Sequence, residues 1–225
     1  MLGIAIIGGE GPLPQALREI AHGADILAAA DSGLVAAEEA GLTVDWIVGD
    51  MDSLASTDEL DRLDKYPSSR VLRYPTDKDH TDTELALALL REQDCNEIWL
   101  AGGGGGRTDH LFAIRSLFER PEPPDRWFTA NEEIRCVREG KTLDAKLRPG
   151  SLVSVFPLGP GPWHAESSGL KWPLDGLAWE WGSFGLSNVA KEGFFEIRSV
   201  QGRFLVVMPY ITIPISSSPW APTNS

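Results

Sequence analysis

Short apolar runs alternate with amphipathic stretches through the first half of the chain. Each run is nearly continuous in apolar character, which is typical of strands that are covered on both faces. Alternating strands and helices indicate βαβ units, so we predict an α/β domain with a mostly parallel sheet. The predicted strands are residues 2–7, 26–30, 46–48, 71–74, 98–101 and 127–129.

Four amphipathic stretches between these strands begin with recognisable helix signals. Pro14 suits the first turn of the first helix, and the second helix is predicted over residues 32–40. Thr81 and Glu84 have the spacing of a capping box, which predicts that the third helix begins there. The fourth helix is predicted to begin near Thr108, where apolar residues again recur at helical spacing.

The pattern changes after residue 137, beyond which no long amphipathic stretch follows. The sequence Gln201-Gly202 lies between two apolar runs and predicts the turn of a β-hairpin. The rest of this half is rich in Gly, Pro and Trp, which favours an all-β sandwich. We therefore predict an α/β domain over residues 1–137 and a β-sandwich domain over residues 138–225. The predicted strands of the second domain are residues 152–156, 194–200 and 203–208.

Composition narrows the choice of partners. The 225-residue chain has a formal net charge of −13, which argues against nucleic acid because that binding depends on neutralising phosphates. The first apolar run lacks the features of a signal peptide, and no run is long enough to span a membrane. We therefore expect a cytoplasmic protein. An anionic nucleotide would need a metal ion, backbone amides or a few well-placed basic residues to bind here.

Two aspartates follow the third predicted strand at positions 50 and 52. Ligands of open α/β sheets bind beyond the carboxyl ends of the strands. Residues two apart in extended chain point to the same face, so Asp50 and Asp52 could bind one hard cation together. Taken alone, the pair is explained equally well by an Asx-type turn that ends the strand.

A second acidic cluster directly precedes the third predicted helix. Helix capping accounts for Thr81 and Asp82, because acidic residues are favoured near the helix N-terminus. Capping does not account for Asp77 and Asp79, with Lys78 between them. A third carboxylate for a magnesium site, with Lys78 meeting a phosphate, is the sharper interpretation.

Five consecutive glycines, residues 102–106, connect the fifth predicted strand to the fourth helix. Backbone without side chains can approach a polyphosphate closely, and Arg107 adds a planar group suited to phosphate oxygens. The string is not a Walker A loop, and the glycines alone could be a plain connector. Asp31, after the second strand, is by itself more typical of a helix cap.

Taken in order, these strings resemble the thiamine pyrophosphokinase family. Each string alone is modest, but six in order across about residues 1–208 are specific. The six strings are Ala30-Asp31-Ser32-Gly33, Gly49-Asp50-Met51-Asp52-Ser53, Asp77-Lys78-Asp79-His80-Thr81-Asp82, Gly105-Gly106-Arg107-Thr108-Asp109-His110, Gly169-Leu170-Lys171-Trp172-Pro173-Leu174 and Gly185-Leu186-Ser187-Asn188. The family usually has Asp-Gly-Gly at Asp31-Ser32-Gly33, and commonly Tyr in place of Trp172.

The resemblance implies a magnesium-dependent transfer of pyrophosphate from ATP to the hydroxyl of thiamine, with thiamine pyrophosphate and AMP as products. It also implies a nucleotide-binding α/β domain followed by a thiamine-binding β-sandwich. A homodimer is implied as well, with the thiamine site between the N-terminal domain of one subunit and the C-terminal domain of the other.

The resemblance further implies roles for single residues. Asp50, Asp52 and Asp82 would bind magnesium and, with Arg107, carry the catalysis. Ser187 and Asn188 would lie at the aminopyrimidine ring of thiamine. The residues implied for the nucleotide and phosphate site are Asp31, Lys78, Asp79, Thr81, Gly105, Gly106, Arg107 and Asp109.

Three other functions use some of the same residue types. A nucleotide-sugar transferase has an Asp-x-Asp after a strand, but this class leaves the glycine-rich loop and Ser187-Asn188 unexplained. A phosphatase with an aspartate nucleophile would be expected to have its aspartates after the first strand. A non-catalytic thiamine sensor would not require the aspartates of a metal–triphosphate site. Magnesium-dependent formation of AMP separates the enzyme from the sensor.

Overall fold

The computed structural model describes residues 1–50, 63–75, 77 and 79–210. The chain divides into two compact units, of which the first is Met1–Ala130 and the second begins at Asn131. The sequence places the boundary later, at residue 137, and the strand Glu132–Val137 makes the difference because it pairs within the second unit. In the described part of the chain, no helix has the length and apolar character needed to cross a membrane.

A parallel sheet of six strands forms the centre of the first unit, as predicted, with the order β6-β5-β1-β2-β3-β4. From β1, the strands β2, β3 and β4 follow on one side of the sheet, and β5 and β6 follow on the other. The direction in which successive strands are added therefore reverses between β1 and β5. Such a switch point opens a crevice at the carboxyl ends of the strands. The strands are β1 (Leu2–Ile6), β2 (Ile26–Ala30), β3 (Trp46–Gly49), β4 (Val71–Arg73), β5 (Glu97–Ala101) and β6 (Arg126–Phe128).

Helices cover this sheet, and the strand residues Ile4, Ala28, Ile47 and Leu100 have no exposed surface. Burial on both faces explains why the strands are apolar without alternation. A short 3₁₀ helix, Ser68–Arg70, precedes β4. The α-helices of the described first unit are α1 (Pro14–Ala21), α2 (Gly33–Glu39), α3 (Asp82–Glu92) and α4 (Thr108–Leu117).

Two antiparallel sheets form the second unit, which confirms the predicted all-β class. One sheet has the order β11-β9-β13-β7 and the other the order β10-β12-β8. Buried apolar side chains from both sheets, among them Phe195, Ile197, Phe204 and Val206, share one core. The strands are β7 (Glu132–Val137), β8 (Thr142–Lys146), β9 (Leu152–Leu158), β10 (His164–Ser168), β11 (Gly185–Val189), β12 (Phe194–Gln201) and β13 (Arg203–Pro209).

The predicted hairpin at Gln201-Gly202 is wrong. The strands β12 and β13 both exist, but β12 pairs with β10 and β8, whereas β13 pairs with β7 and β9. Gly202 has a φ of 79°, and the turn carries the chain from one sheet to the other. The reason is burial: Phe195 and Ile197 on β12 and Phe204 and Val206 on β13 all enter the shared core, which strands of facing sheets can do.

Candidate functional site

Three carboxylates meet at the carboxyl edge of the parallel sheet. Asp31 follows β2, Asp50 follows β3, and Asp82 is the first residue of α3. One carboxylate oxygen from each lies within 4.8 Å of those of the other two, and all three residues are partly buried. We call these three residues the acidic cluster. Among the described residues, they are the acidic side chains placed close enough together to share one cation.

Gly49 makes room for the acidic cluster. A Cβ atom at this position would lie 1.8 Å from Oδ1 of Asp31 and 3.4 Å from Oδ1 of Asp82. Gly49 also has a positive φ of 152°, and Asp31 itself has a φ of 47°, which is uncommon for a residue with a side chain. The backbone amide of Asp31 donates to the carbonyl of Val48 at 3.1 Å. The ends of β2 and β3 are therefore shaped together around the Asp31 carboxylate.

The predicted capping box fixes the first turn of α3, where Asp82 lies. The backbone amide and the hydroxyl of Thr81 both donate to Oε2 of Glu84 at 2.8 Å. In return, the amide of Glu84 donates to Oγ1 of Thr81 at 3.3 Å. Thr81 and Glu84 thus hold Asp82 between them at the N-terminus of the helix.

Arg120, three residues after the end of α4, contacts the same turn. Its Nη2 donates to Oε1 of Glu84 in an ion pair. Burial alone would raise the pKa of Glu84, but the hydrogen bonds from Thr81 and Arg120 outweigh burial and lower this pKa to about 2. Glu84 is therefore ionised across the physiological range.

A cleft of about 370 Å³ lies at the switch point between β1 and β5. The loops after β1 and β2 and the first turn of α3 form part of its lining, and one side of α4 supplies a wall that is largely apolar. A cleft with an acidic end and an apolar wall can accept a flat ring together with a metal-bound anion. The lining residues are Ile7, Gly8, Gly9, Ala30, Asp31, Ser32, Thr81, Asp82, Thr83, Glu84, Gly103, His110, Ala113, Ile114, Ser116, Leu117 and Arg120.

The five glycines after β5 have two different surroundings. Gly102 and Gly103 pack against the loop after β1, because a Cβ on either would lie within 2.8 Å of atoms of Ile7. The amide of Gly104 donates to the carbonyl of Glu10 at 2.8 Å. Gly106, by contrast, has a φ of 60°, and a Cβ atom there would have no other atom within 4 Å. The first glycines therefore serve loop packing, whereas Gly106 faces open space.

Arg107 and Asp109 form an exposed ion pair at the start of α4. The Nε and Nη2 atoms of Arg107 donate to the two oxygens of Asp109 at 3.1 and 2.5 Å. The hydrogen bond raises the pKa of Arg107 and lowers the pKa of Asp109. Neither residue lines the cleft, so the guanidinium has to reorient before it can meet a phosphate there.

Ser187 and Asn188 lie on β11 in the second unit, at a register shift against β9. Ser187 is exposed and has a φ of 58°, which is rare for a residue with a side chain. Asn188 is buried, and its amide group bonds both backbone polar groups of Trp172, at 3.1 Å to the nitrogen and 2.6 Å to the oxygen. Asn188 thus fixes the exposed Trp172, while Ser187 faces outward.

Of the residues predicted for the site, the structure brings Asp31, Asp50, Thr81 and Asp82 together. Asp79 is exposed and not part of the acidic cluster. Asp52 and Lys78 lie outside the described residues. Arg120, Glu84 and Gly49 were not among the predicted site residues. The sequence identifies Glu84 only as a capping residue, and nothing in the sequence links it to Arg120, 36 positions away.

The donor set of the acidic cluster fits a hard divalent cation such as Mg²⁺. Carboxylate oxygens are the ligands that this ion prefers, and three carboxylates so close together repel one another unless a cation or protons neutralise them. The cluster lies at the carboxyl edge of a doubly wound sheet, next to a cleft at the switch point. This combination is typical of enzymes that bind a nucleotide together with a metal ion.

Comparison with protein families gives the particular family. The chain belongs to the thiamin pyrophosphokinase family: residues 17–124 match the model for the thiamin pyrophosphokinase catalytic domain, and residues 139–202 match the model for its vitamin B1 binding domain. The enzyme class predicted from the six strings is thereby confirmed, and the family implies ATP as co-substrate. No curated protein sequence matches the chain.

Solved structures with the same fold have low sequence identity. A thiamin pyrophosphokinase family protein from Enterococcus faecalis is 22% identical over 94% of this chain and 100% of its own, with a TM-score of 0.76. Thiamine pyrophosphokinase from Bacillus subtilis is 22% identical over 93% and 99%, with a TM-score of 0.76. Thiamin pyrophosphokinase from Candida albicans is 17% identical over 93% and 90%, with a TM-score of 0.70. At these identities the likeness concerns the fold.

Proposed function

We propose that the protein transfers the pyrophosphoryl group of ATP to the hydroxyl of thiamine in a reaction that requires Mg²⁺. The observation that carries this proposal is the acidic cluster, with three carboxylate oxygens within 4.8 Å of one another beside the cleft. When bound, Mg²⁺ supplies a positive charge that neutralises the phosphate oxygens. Asp31, Asp50 and Asp82 would hold it, and Asp52 stays a predicted further ligand.

The chain's own residues supply orientation. The apolar wall formed by Ala113, Ile114 and Leu117 suits the flat base of the nucleotide. The first turns of α3 and α4 present backbone amides, which favour anions. Gly106 has the open surroundings that close approach of a phosphate needs. Such positioning of the reacting groups accounts for much of the catalysis in phosphoryl transfer.

In the reaction, the thiamine hydroxyl oxygen forms a bond to the β-phosphorus of ATP. The bond from that phosphorus to the oxygen bridging it to the α-phosphorus breaks, and AMP leaves with the electron pair. Arg107 would stabilise the charge on the phosphate oxygens after exchanging its contacts with Asp109, and Lys78 is predicted to assist. The group that accepts the hydroxyl proton stays open among Asp31, Asp79 and Asp109.

Thiamine would bind at Ser187 and Asn188 of the vitamin B1 binding domain. The outward-facing, positive-φ backbone at Ser187 supports this placement, because strained backbone concentrates at binding sites. Asn188 would act chiefly by fixing Trp172, since its amide group bonds that backbone at 2.6 and 3.1 Å. Its own contact with the aminopyrimidine ring stays a prediction.

The same unit supports the predicted homodimer. Leu177, Trp181, Phe184 and Leu186 are large apolar residues that are exposed close together in sequence, and Trp181 is 81% exposed. Leu177 and Phe184 also line one cavity, and exposed apolar residues that lie together are typical of interfaces. Light scattering of the wild type and of Trp181→Ser tests the proposal, with a dimer expected for the first and a weakened dimer for the second. A monomeric wild type would rule out the dimer.

The test of the reaction is the production of AMP and thiamine pyrophosphate from ATP and thiamine, with and without Mg²⁺. We expect equal amounts of the two products for the wild type, only with Mg²⁺, and a loss on the order of 10²-fold for Asp82→Asn. Asp64→Asn is the matched control, because Asp64 is an exposed carboxylate outside the cleft and the acidic cluster. Thiamine binding without product in the folded wild type would instead support the sensor.

A further inference from the structure

We infer that Arg120 is a positioning residue for the metal site: by holding Glu84, it fixes the first turn of α3 and thereby the carboxylate of Asp82. The inference rests on the proposed function, because it takes the acidic cluster as the place where the divalent cation binds. It adds to that function a residue just after α4, which is distant in sequence from every member of the acidic cluster.

The two carboxylate oxygens of Glu84 have different tasks. Oε2 accepts hydrogen bonds from the amide and hydroxyl of Thr81, both at 2.8 Å, and so closes the turn from inside. Oε1 accepts from Nη2 of Arg120. The Nδ1 atom of His80 lies 3.6 Å from the same oxygen. Arg120 therefore links this turn to the segment that follows α4.

The burial of Glu84 makes the loss of its ion pair with Arg120 costly. The side chain of Glu84 is only 13% exposed, whereas that of Arg120 is 51% exposed. Removing Arg120 would leave a largely buried carboxylate without its charged partner, which is far more costly than losing an exposed ion pair. We expect Glu84 to turn toward water in that case and to leave the capping box with Thr81.

Asp82 would move with that turn. It lies between Thr81 and Glu84 in sequence, and its side chain starts from the first residue of α3. Its oxygen has to stay near those of Asp31 and Asp50, which are held by the separate ends of β2 and β3. Residues that orient metal ligands in this way typically contribute 10–100-fold to metal affinity.

Arg120 also lines the cleft, so a direct contact with the nucleotide is the competing role. The two roles differ in a measurement that contains no nucleotide. Positioning of Asp82 predicts weaker binding of the metal alone. A nucleotide contact predicts unchanged metal binding and a raised KM for ATP.

The experiment measures binding of Mn²⁺ alone, as a stand-in for Mg²⁺, by electron paramagnetic resonance. We expect the Kd to rise on the order of 10-fold for Arg120→Ala and to recover in part for Arg120→Lys, which restores the charge. Arg115→Ala is the matched control, because Arg115 lies on α4, forms an exposed ion pair with Glu119 and does not line the cleft. Its Kd should equal that of the wild type.

A second variant keeps the test decisive if Arg120→Ala does not fold. Glu84→Gln retains an oxygen for the capping box but loses the charge that Arg120 pairs with. It should weaken Mn²⁺ binding to a similar degree, and combining it with Arg120→Ala should add little, because both changes remove one interaction. Glu92→Gln, an exposed residue at the far end of α3, is the control for this change.

The outcomes separate the inference from the proposed function. If the wild type binds Mn²⁺ and makes product while Arg120→Ala and Glu84→Gln bind Mn²⁺ as tightly, Arg120 does not position the metal site, and only the inference fails. If the folded wild type binds no Mn²⁺, the acidic cluster does not hold the metal on its own and the inference fails, whereas the proposed function fails only if this protein also makes no product with Mg²⁺.

Discussion

Aspartates occupy both edges of the parallel sheet, and they are used in opposite ways. At the carboxyl edge, the carboxylates of Asp31, Asp50 and Asp82 converge within 4.8 Å of one another. At the amino edge, each aspartate that directly precedes a strand bonds the backbone of the neighbouring strand. These residues are Asp25 before β2, Asp45 before β3 and Asp125 before β6.

The amino-edge aspartates share one two-way arrangement. Asp45 donates its backbone amide to the carbonyl of Leu27 at 2.8 Å, and its carboxylate accepts from the amide of Leu27 at 2.9 Å. Asp25 bonds Leu2 in the same way, and Asp125 bonds Ile98. Each aspartate thus adds one further pair of hydrogen bonds to the ladder of the sheet. Each of these carboxylates accepts a hydrogen bond from a backbone amide, and we therefore assign these residues a role in stability.

Position relative to the strand direction decides what an aspartate does in this fold. Where a strand begins, a backbone amide of the neighbouring strand is within reach of the carboxylate. Where strands end, the chain turns away and leaves an open crevice, so the carboxylates face one another. Mutual repulsion there is a cost to the folded chain that a bound cation removes.

The largest expected effect comes from Asp50→Asn at the carboxyl edge. We expect product formation to fall on the order of 10²-fold or more, because the proposed metal site would lose one carboxylate ligand and its charge. The melting temperature without metal should stay the same or rise, because repulsion in the acidic cluster decreases. Turnover assays measure the loss of product formation, and calorimetry measures the melting temperature. A clear drop in stability would show that Asp50 stabilises the fold, as the amino-edge aspartates do.

Gly49→Ala should also abolish most activity, without removing any charge. The new Cβ would lie 1.8 Å from Oδ1 of Asp31, so that carboxylate has to leave the acidic cluster. Gly23→Ala is the control, because Gly23 also has a positive φ but no atom within 4 Å of a Cβ position. Both variants should lose stability, and only Gly49→Ala should lose Mn²⁺ binding. Normal Mn²⁺ binding by Gly49→Ala would contradict the role given to Asp31.

Asp45→Ala at the amino edge should affect stability alone. Loss of its carboxylate leaves the amide of Leu27 without this acceptor, which we expect to cost about 1–3 kcal/mol. Asp45→Asn should cost less, since the side-chain oxygen can still accept. Urea unfolding measures the first effect, and the KM for ATP and thiamine should be those of the wild type. An altered KM would contradict the conclusion that the amino-edge aspartates affect stability alone.

The smallest effect concerns Asp109, a carboxyl-edge residue that has a partner of its own. The hydrogen bond from Arg107 lowers the pKa of Asp109, so Arg107→Ala should raise that pKa toward its ordinary value. Because the folded-state pKa is depressed, the ionised pair adds stability above the unfolded-state pKa, and this is lost as the pH falls through the folded-state value. Titration followed by carbon NMR measures the shift, and an unchanged pKa would disprove the pairing in solution.

Much of this fold could be predicted from local pattern. Strands β1, β2, β3 and β5 are mostly buried, so their apolar runs are visible in the sequence, whereas the edge strand β4 is only partly buried. The capping box of α3 is local too, since Thr81 and Glu84 are three residues apart. In the second unit, strands such as Thr142–Lys146 and His164–Ser168 are half-exposed and polar, which is why the sequence did not predict them.

The site could be predicted where it rests on strand ends and family strings, as for Asp50 and Asp82. The features that could not be predicted are contacts between residues that lie far apart in sequence. The pairing of Arg120 with Glu84 crosses 36 positions, and the space that Gly49 leaves for Asp31 exists only once β2 and β3 pair. The failed hairpin has the same origin, because a glycine turn looks alike whether the next strand joins the same sheet or the facing one.

The place of β13 has a consequence for synthesis on the ribosome. β13 is the last strand of the described chain, yet it lies between β9 and β7 and pairs with both. Until Arg203–Pro209 has left the exit tunnel, β7 and β9 both lack this partner and expose edges that can pair with other chains. The first unit has all its strands much earlier. We therefore expect the nascent chain to fold its first unit earlier in translation, and its second unit only after Arg203–Pro209 has emerged.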